Sequence, residues 1–339
     1  MSKLNKLKEK FQKQLAAFKA DSNSQGSSNN LATVFFKELS DQLSSTRFFI
    51  LFSLITLTGI VSFYSAASNI RGTTDDAVAS FVLIRLFTTS GSSLPSFTWF
   101  LSILGPLVGL SMGFDAINAE QNSGTMTRLL AQPIYRDDVI NGKFLARLFV
   151  LVLITLGLGF FVAGMGIIIT GVPPSGEEVL RLLLYLGLSI VYMGFWLALA
   201  MLFSLVFRHT ATSALCCISL WLFFSIFVPI LAGMVADAIF PITQSSDTMT
   251  QLYNVRVSQA LSRLSPSTLY SEASVTLLSP TVRTLGPVLL EQTFGAIAGF
   301  LPLGQSLLLI WPHITGLVAG TLFIFGIAYT IFLRQEIRA

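Results

Sequence analysis

A chain of 339 residues that is 53% hydrophobic and only 11% charged lacks the composition of a soluble domain, in which about a quarter of residues are charged. The two cysteines, Cys216 and Cys217, are adjacent within an apolar run, which excludes a disulfide framework and suits small hydrophobes. The net charge of +4 belongs to one end, because residues 1–20 hold six lysines against Glu9. A basic tail without any nucleic-acid motif points to an anionic membrane surface or an acidic partner and away from DNA or RNA.

In chain order, residues 1–30 read as a basic amphipathic tail and linker. Leu4, Leu7, Phe11, Leu15 and Phe18 recur at steps of three and four, and Lys3, Lys6, Lys10 and Lys13 lie between them to meet the lipid surface. The polar run 21–30 is a flexible link. Residues 31–46 predict an interfacial helix that sets Phe35, Phe36, Leu39 and Leu43 on one side. The remainder, 47–339, holds six stretches without Asp, Glu, Lys or Arg: 48–70, 86–114, 148–176, 182–207, 209–236 and 292–333. Each exceeds the ~20 residues that cross a bilayer core as helix. An all-α polytopic membrane protein follows, with spans near 48–68, 97–115, 144–170, 182–207, 211–237 and 306–333.

Six is even, so both termini share a side. An inside N-terminus puts fifteen Lys and Arg on that side and six, among them Arg181 and Arg263, on the other. That bias predicts cytoplasmic termini in a multi-pass cell-membrane protein. The outer segment 238–305, interrupted by Pro266, Pro280 and Pro302, predicts short re-entrant or interfacial helices. Gly105-Pro106 and Pro229 predict kinks in spans two and five.

Catalytic chemistry is not legible. No G-x-x-x-x-G-K-[ST] loop occurs, and His209 and His313 fall on opposite membrane faces, which excludes a metal site built from both. No histidine is placed for a hydrolytic triad. Asp115 and Asp237 come nearest to intramembrane acids, and Asp115 reads as a cap for the following helix.

The polar loop 116–143 interrupts this apolar chain. Asn118 and Gln121 have the spacing of a capping box. Met126, Leu129 and Leu130 share a helical side away from Arg128, Pro133 stops the helix, and Asp137 or Asp138 can cap the next. A short helix parallel to the membrane, cornered between two spans, would transmit force to both if a soluble partner gripped it. The pattern equally fits an ordinary loop packed on lipid, and Leu129 and Leu130 equally fit burial against their own spans.

The run "GFDAINAEQNSGTMTRLLAQPIYRDDVINGKFLARL" (113–148) resembles the signature of ABC type-2 transporter permeases. Asp115, Glu120, Gly124-Thr125, Leu129-Leu130, Pro133, Arg136 and Gly142-Lys143-Phe144 match in order. "LSPSTLY" (264–270) and the closing segment 311–338 are similar too, most of all to the branch that includes permeases for nitrous oxide reductase maturation and gliding motility. The resemblance covers about residues 31–339. It implies an ABC type-2 exporter fold in a homodimer, with 31–46 as elbow helix and each copy docking a separate cytoplasmic ATPase. ATP and Mg would bind that partner, so this chain would be no enzyme and would hold no cofactor or metal. Coupling would rest on Glu120 and Arg128 for polar contacts and Met126, Leu129 and Leu130 for an apolar groove. Gly124, Thr125, Pro133 and Arg136 complete the loop. The expected function is ATP-driven export of an unidentified substrate; the alternative is a membrane anchor passing ATPase-driven motion to an external protein.

Overall fold

The computed structural model describes residues 30–71, 81–89, 95–126, 134–171, 173–242, 247–279 and 301–335. These are helical, with no strand among the described residues. Six helices are long and apolar enough to cross a membrane: Thr46–Tyr64, Phe97–Asn122, Arg136–Ile169, Gly176–Val206, Thr210–Ile239 and Leu303–Arg334. Each contains most of one of the six charge-free runs, because a backbone in hydrocarbon must satisfy its own hydrogen bonds and a helix does so within one segment.

Helix α1 (Asn30–Leu43) is followed by α2 (Thr46–Arg71), the first span. A short helix the sequence reading did not foresee, α3 (Val82–Thr88), buries Leu83, Ile84, Leu86 and Phe87 above the second span, α4 (Phe97–Gly113). The turn-like α5 (Asn118–Asn122) leads toward α6 (Arg136–Thr170), then α7 (Gly176–Val206). The fifth span consists of α8 (Thr210–Leu222), a π-helical turn (Phe223–Phe227) and α9 (Val228–Ile239). Helices α10 (Thr248–Ser262) and α11 (Pro266–Leu278) precede the sixth span, α12 (Leu303–Arg334).

Helix α7 is the axis of the bundle, packed along α4, α12, α6 and α11. Small residues allow the α4 contact. A Cβ on Gly109 would lie 2.5 Å from the Met193 carbonyl oxygen, and one on Gly113 would lie 2.6 Å from the Ala200 Cβ. With Gly105 they form a four-residue repeat that brings two backbones together, the usual route to tight packing where lipid removes the hydrophobic drive. Dispersion across this contact then replaces lipid contacts with denser protein ones.

The prolines act differently from one another. Helix α4 continues through Pro106. The carbonyl that Pro106 cannot engage, that of Ser102, accepts from the Tyr192 hydroxyl at 3.0 Å. Pro229 follows a π-helical turn in which the Val228 N–H reaches the Phe223 carbonyl, so the span widens there.

Helix α10 turns back along α9, where Asn254 Nδ2 donates to Asp237 Oδ1 and to the Phe240 carbonyl, both at 2.8 Å. Helix α11 then starts in the middle of the bundle, with Ser267 bonded to Ser225 of the π turn (2.8 Å) and to Tyr192 (3.1 Å). It climbs until its Leu277 carbonyl meets Arg181, in the second turn of α7. Arg181, counted from sequence among the cations of the outer side, is fully buried. Its guanidinium donates to Glu177 Oε1, the Leu277 and Leu301 carbonyls and Ser306 Oγ at 2.6 to 3.3 Å, using all five N–H groups.

Candidate functional site

The polar loop sits at the end of the bundle that also holds α1 and the close of α12. Its entry is capped from α7: Ser204 Oγ accepts from the backbone N–H of Ile117 (2.9 Å) and Asn118 (3.1 Å). The predicted Asn118–Gln121 capping box is therefore absent. Asn118 is buried within α5, and its Nδ2 donates to the Phe114 and Phe207 carbonyls. A serine 86 residues away supplies what a local residue was expected to give. Asp137 and Asp138 lie inside the first turn of α6, where they favour the helix dipole, while Tyr135 occupies the cap position without a side-chain bond. Asp115 does not cap either; its carboxylate pairs with Arg47 at the start of α2.

After α5 the chain turns at Gly124, whose φ of 69° is left-handed and suits glycine. Asn122, Ser123, Gly124 and Thr125 are exposed in succession. Thr125 Oγ1 bonds Ser123 Oγ (2.9 Å) and donates to the Glu120 carbonyl, which holds this apex in shape. Asn122 Nδ2 donates to the Arg208 carbonyl at 2.8 Å, and Gln121 Nε2 to Gln335 Oε1 at 3.4 Å. Arg136, at the loop's far side, donates to the Gln335 carbonyl at 2.9 Å. Bonds to α7, to the turn after it and to the close of α12 thus restrain the loop.

Beneath the loop lies a buried ion network. Lys143 Nζ, fully buried on α6, donates to Glu38 Oε1 of α1 (2.9 Å) and to Glu120 Oε1 (2.6 Å). One turn on, Arg147 donates to Glu38 Oε2 (3.2 Å), to the Met112 carbonyl (2.9 Å) and to the Lys143 carbonyl (3.1 Å). Lys37 lies 3.4 Å from Asp41 and 3.7 Å from Glu120. Burial alone would raise the Glu38 carboxyl; Lys143, Arg147 and Lys37 outweigh it and hold it at about 2. Close packing makes the network possible, since a Cβ on Gly142 would lie 2.7 Å from Val34 Cγ1. Phe144 stacks toward Phe325 of α12, centroids 4.3 Å apart. The Gly142-Lys143-Phe144 run thus joins α1, the loop and the sixth span.

Glu38, Asp41, Glu120 and Arg147, with Arg47 and Asp115, line a cleft of about 450 Å³ between α1 and the loop. Lys37, Arg47, Lys143 and Arg147 balance Glu38, Asp41, Asp115 and Glu120. The group is neutral as a whole, which makes it a clamp between helices and not a lure for a charged ligand.

The predicted residues separate accordingly. Gly124 and Thr125 are at the exposed apex. Glu120 is committed to Lys143 and only 22% exposed. Met126 is fully buried in the chain's own core, so it props the loop from within instead of facing outward. Arg128, Leu129, Leu130 and Pro133 lie outside the described residues, as do Lys3, Lys6, Lys10 and Lys13. On α1, Leu39 is buried, and Phe35, Phe36 and Leu43 are partly buried against the core. The centre of the buried face is Val34 and Glu38. Sequence reasoning missed Glu38, Lys143, Arg147 and Ser204. For the two cations, the legible signal was their i,i+4 spacing at the mouth of a charge-free run. Among the described residues no group of three His, Cys, Asp or Glu is placed to hold a metal ion.

Six apolar helices, a pair of shorter helices between the last two and a cornered polar loop define a polytopic membrane subunit of the transporter type. Residues 32–337 match the model of the ABC-2 family transporter proteins, and the chain belongs to that family. It is 30% identical over 198 residues to the probable ABC transporter permease protein NosY of Pseudomonas aeruginosa, covering 57% of this chain and 66% of that one. It is 28% identical over 148 residues to the probable NosY of Stutzerimonas stutzeri, covering 42% and 48%. The chain thus aligns with about two thirds of one relative and about half of the other. It is a membrane subunit of ABC transporter type.

Proposed function

We propose that the chain couples ATP hydrolysis on a separate cytoplasmic ATPase to export of a substrate across the cell membrane, as one half of a homodimer. The observation behind this reading is the exposed apex 122–125, whose flanking residues bond Ser204 of α7, the Arg208 carbonyl after it, Lys143 of α6 and Gln335 at the close of α12. A push at the apex reaches several spans, because each corner is a hydrogen bond or ion pair within helical packing. Ser123, Gly124 and Thr125 present the contact surface, with Arg128, Leu129, Leu130 and Pro133 continuing it. Glu120, Met126 and Arg136 shape the loop from behind. ATP and Mg belong to the partner, consistent with a chain that carries no phosphate-binding loop.

The excess of Lys and Arg at the loop end supports a cytoplasmic position for that end and both termini. The double variant Arg128→Glu/Leu129→Asp is expected to insert normally and to lose co-purification of the ATPase; retained co-purification refutes the docking assignment. The basic tail adds affinity for anionic lipid, so removal of residues 1–20 is expected to weaken binding to anionic vesicles and spare ATPase docking. Equal vesicle binding refutes the tail's role.

A further inference from the structure

The ion clamp leaves two charged atoms unused beside the cleft between α1 and the loop. Arg147 lines this cleft with a side chain only 5% exposed. Its Nε and Nη1 are engaged by the Met112 and Lys143 carbonyls and by Glu38, while Nη2 has no hydrogen-bond partner among the described residues. Glu120, also in the lining, gives Oε1 to Lys143, and its Oε2 is buried without a partner among the described residues. Unmet hydrogen-bonding capacity on a buried group costs about 1–3 kcal/mol, and more on a charged one. Both residues border the same space of about 450 Å³, within the range of small-ligand sites, about 300–1,000 Å³.

The position of the cleft narrows what can fill it. Thr46 and Arg47 begin α2, and Asp115 and Ala116 follow α4, so the lining borders two charge-free runs where they leave the bilayer. The cleft therefore lies at the depth of lipid headgroups. Just beyond it α2 exposes Phe49, Ile50 and Phe52, and α6, which packs on α2, exposes Leu145 and Phe149. A polar cavity beside an apolar surface suits a lipid better than a soluble ligand.

The lining offers both signs of charge. Arg147 and Arg47 supply guanidinium donors, which suit phosphate oxygens. Glu120 and Asp41 supply carboxylate acceptors, which suit an ammonium. Because Lys37 and Lys143 complete the balance of the cluster, an occupant with net charge would meet opposition from one set, and a zwitterion would not. A primary ammonium donates hydrogen bonds to carboxylates, whereas a quaternary one has no N–H to donate. We propose that this cleft binds the headgroup of an ethanolamine phospholipid. Its phosphate sits on Arg147 and Arg47, its ammonium on Glu120 and Asp41, and its acyl chains run along α2 and α6. The lipid then ties α1 to the loop beside the clamp.

Native mass spectrometry of the full chain, freed of lipid in micelles, tests this with phosphatidylethanolamine, phosphatidylcholine and phosphatidylglycerol of identical acyl chains. One copy of the ethanolamine lipid is expected to bind roughly tenfold more tightly than the choline lipid, the factor that about one charge-assisted hydrogen bond supplies. Asp41→Asn, at an exposed carboxylate, should lower that preference about threefold, the scale of one exposed ion pair. Ala119→Phe fills the cleft without removing a charge and should abolish the preference; Asp41→Asn decides alone where Ala119→Phe does not fold. Equal binding of all three lipids, the result if the cleft holds only water, overturns the proposal. So does tighter binding of the glycerol lipid, or an unaltered preference in either folded variant. Soluble phosphoethanolamine at the lipid's concentration should leave the lipid bound; displacement would give the cleft to a soluble amino-phosphate and overturn the lipid assignment.

Discussion

Replacing Glu38 by glutamine removes the one carboxylate shared by Lys143 and Arg147 while keeping nearly the same volume. A carboxyl held at about 2 against an ordinary 4.5 corresponds to roughly 3 kcal/mol of stabilisation when it is ionised. Removing one member of a buried pair costs about 3–5 kcal/mol by general experience. The lower figure applies here, because Lys143 keeps Glu120 and Arg147 keeps two carbonyls. Denaturant unfolding of the purified chain in mixed micelles is expected to show a loss of about 3 kcal/mol. The variant Arg147→Met in the Glu38→Gln background should cost less than the two changes taken separately, since one orphaned cation is gone. A loss below about 0.5 kcal/mol, the level of an exposed pair, would refute the clamp. The pH dependence has a fixed sign: the carboxyl is depressed in the fold, so its contribution is complete above 4.5 and fades as pH falls toward 2. Glu38→Gln should flatten that acid limb.

Two further outcomes follow from packing and hydrogen bonding. Gly109→Val places atoms where the Met193 carbonyl lies, 2.5 Å from the first added carbon, and should destabilise the chain by at least 1–3 kcal/mol in the same unfolding assay; neutrality would mean α4 and α7 are not held this closely. Arg181→Lys keeps the charge but supplies three donors in place of five, so hydrogen exchange should quicken in peptides from α11 and the start of α12 while α6 peptides stay protected. Unchanged exchange in α11 would remove Arg181 from its keystone role.

The spans were legible because long uncharged runs admit little else. Helix α3 was not legible, since seven residues interrupted by Arg85 look like loop until their packing over α4 is seen. The ion clamp was hidden for a different reason. Glu38 looks like the polar side of an amphipathic helix, and its partner Lys143 is 105 residues away, so only tertiary packing turns an interfacial carboxylate into a buried one. Arg181 and Arg263 were counted as external charges on the same logic. Apart from Glu177, four residues before Arg181, their partners are carbonyls, a serine and Glu272 on other elements, which carry no signal in local sequence. Gly105, Gly109 and Gly113 did carry one: glycine every fourth residue in an apolar run is the pattern of close helix contact. At the loop, Gly124 turns the chain in the left-handed region, and Met126, assigned outward on helical periodicity, lies buried just beyond that turn.

The most direct measurement of the central claim is site-specific photo-crosslinking in cells that express the chain with its ATPase. A photoreactive residue at Ser123 or Thr125 should give an adduct with the ATPase, and one at buried Met126 or at Tyr253 on α10 should give none. An ATPase adduct from Tyr253, or none from the 123–125 apex while the complex co-purifies, would contradict the account.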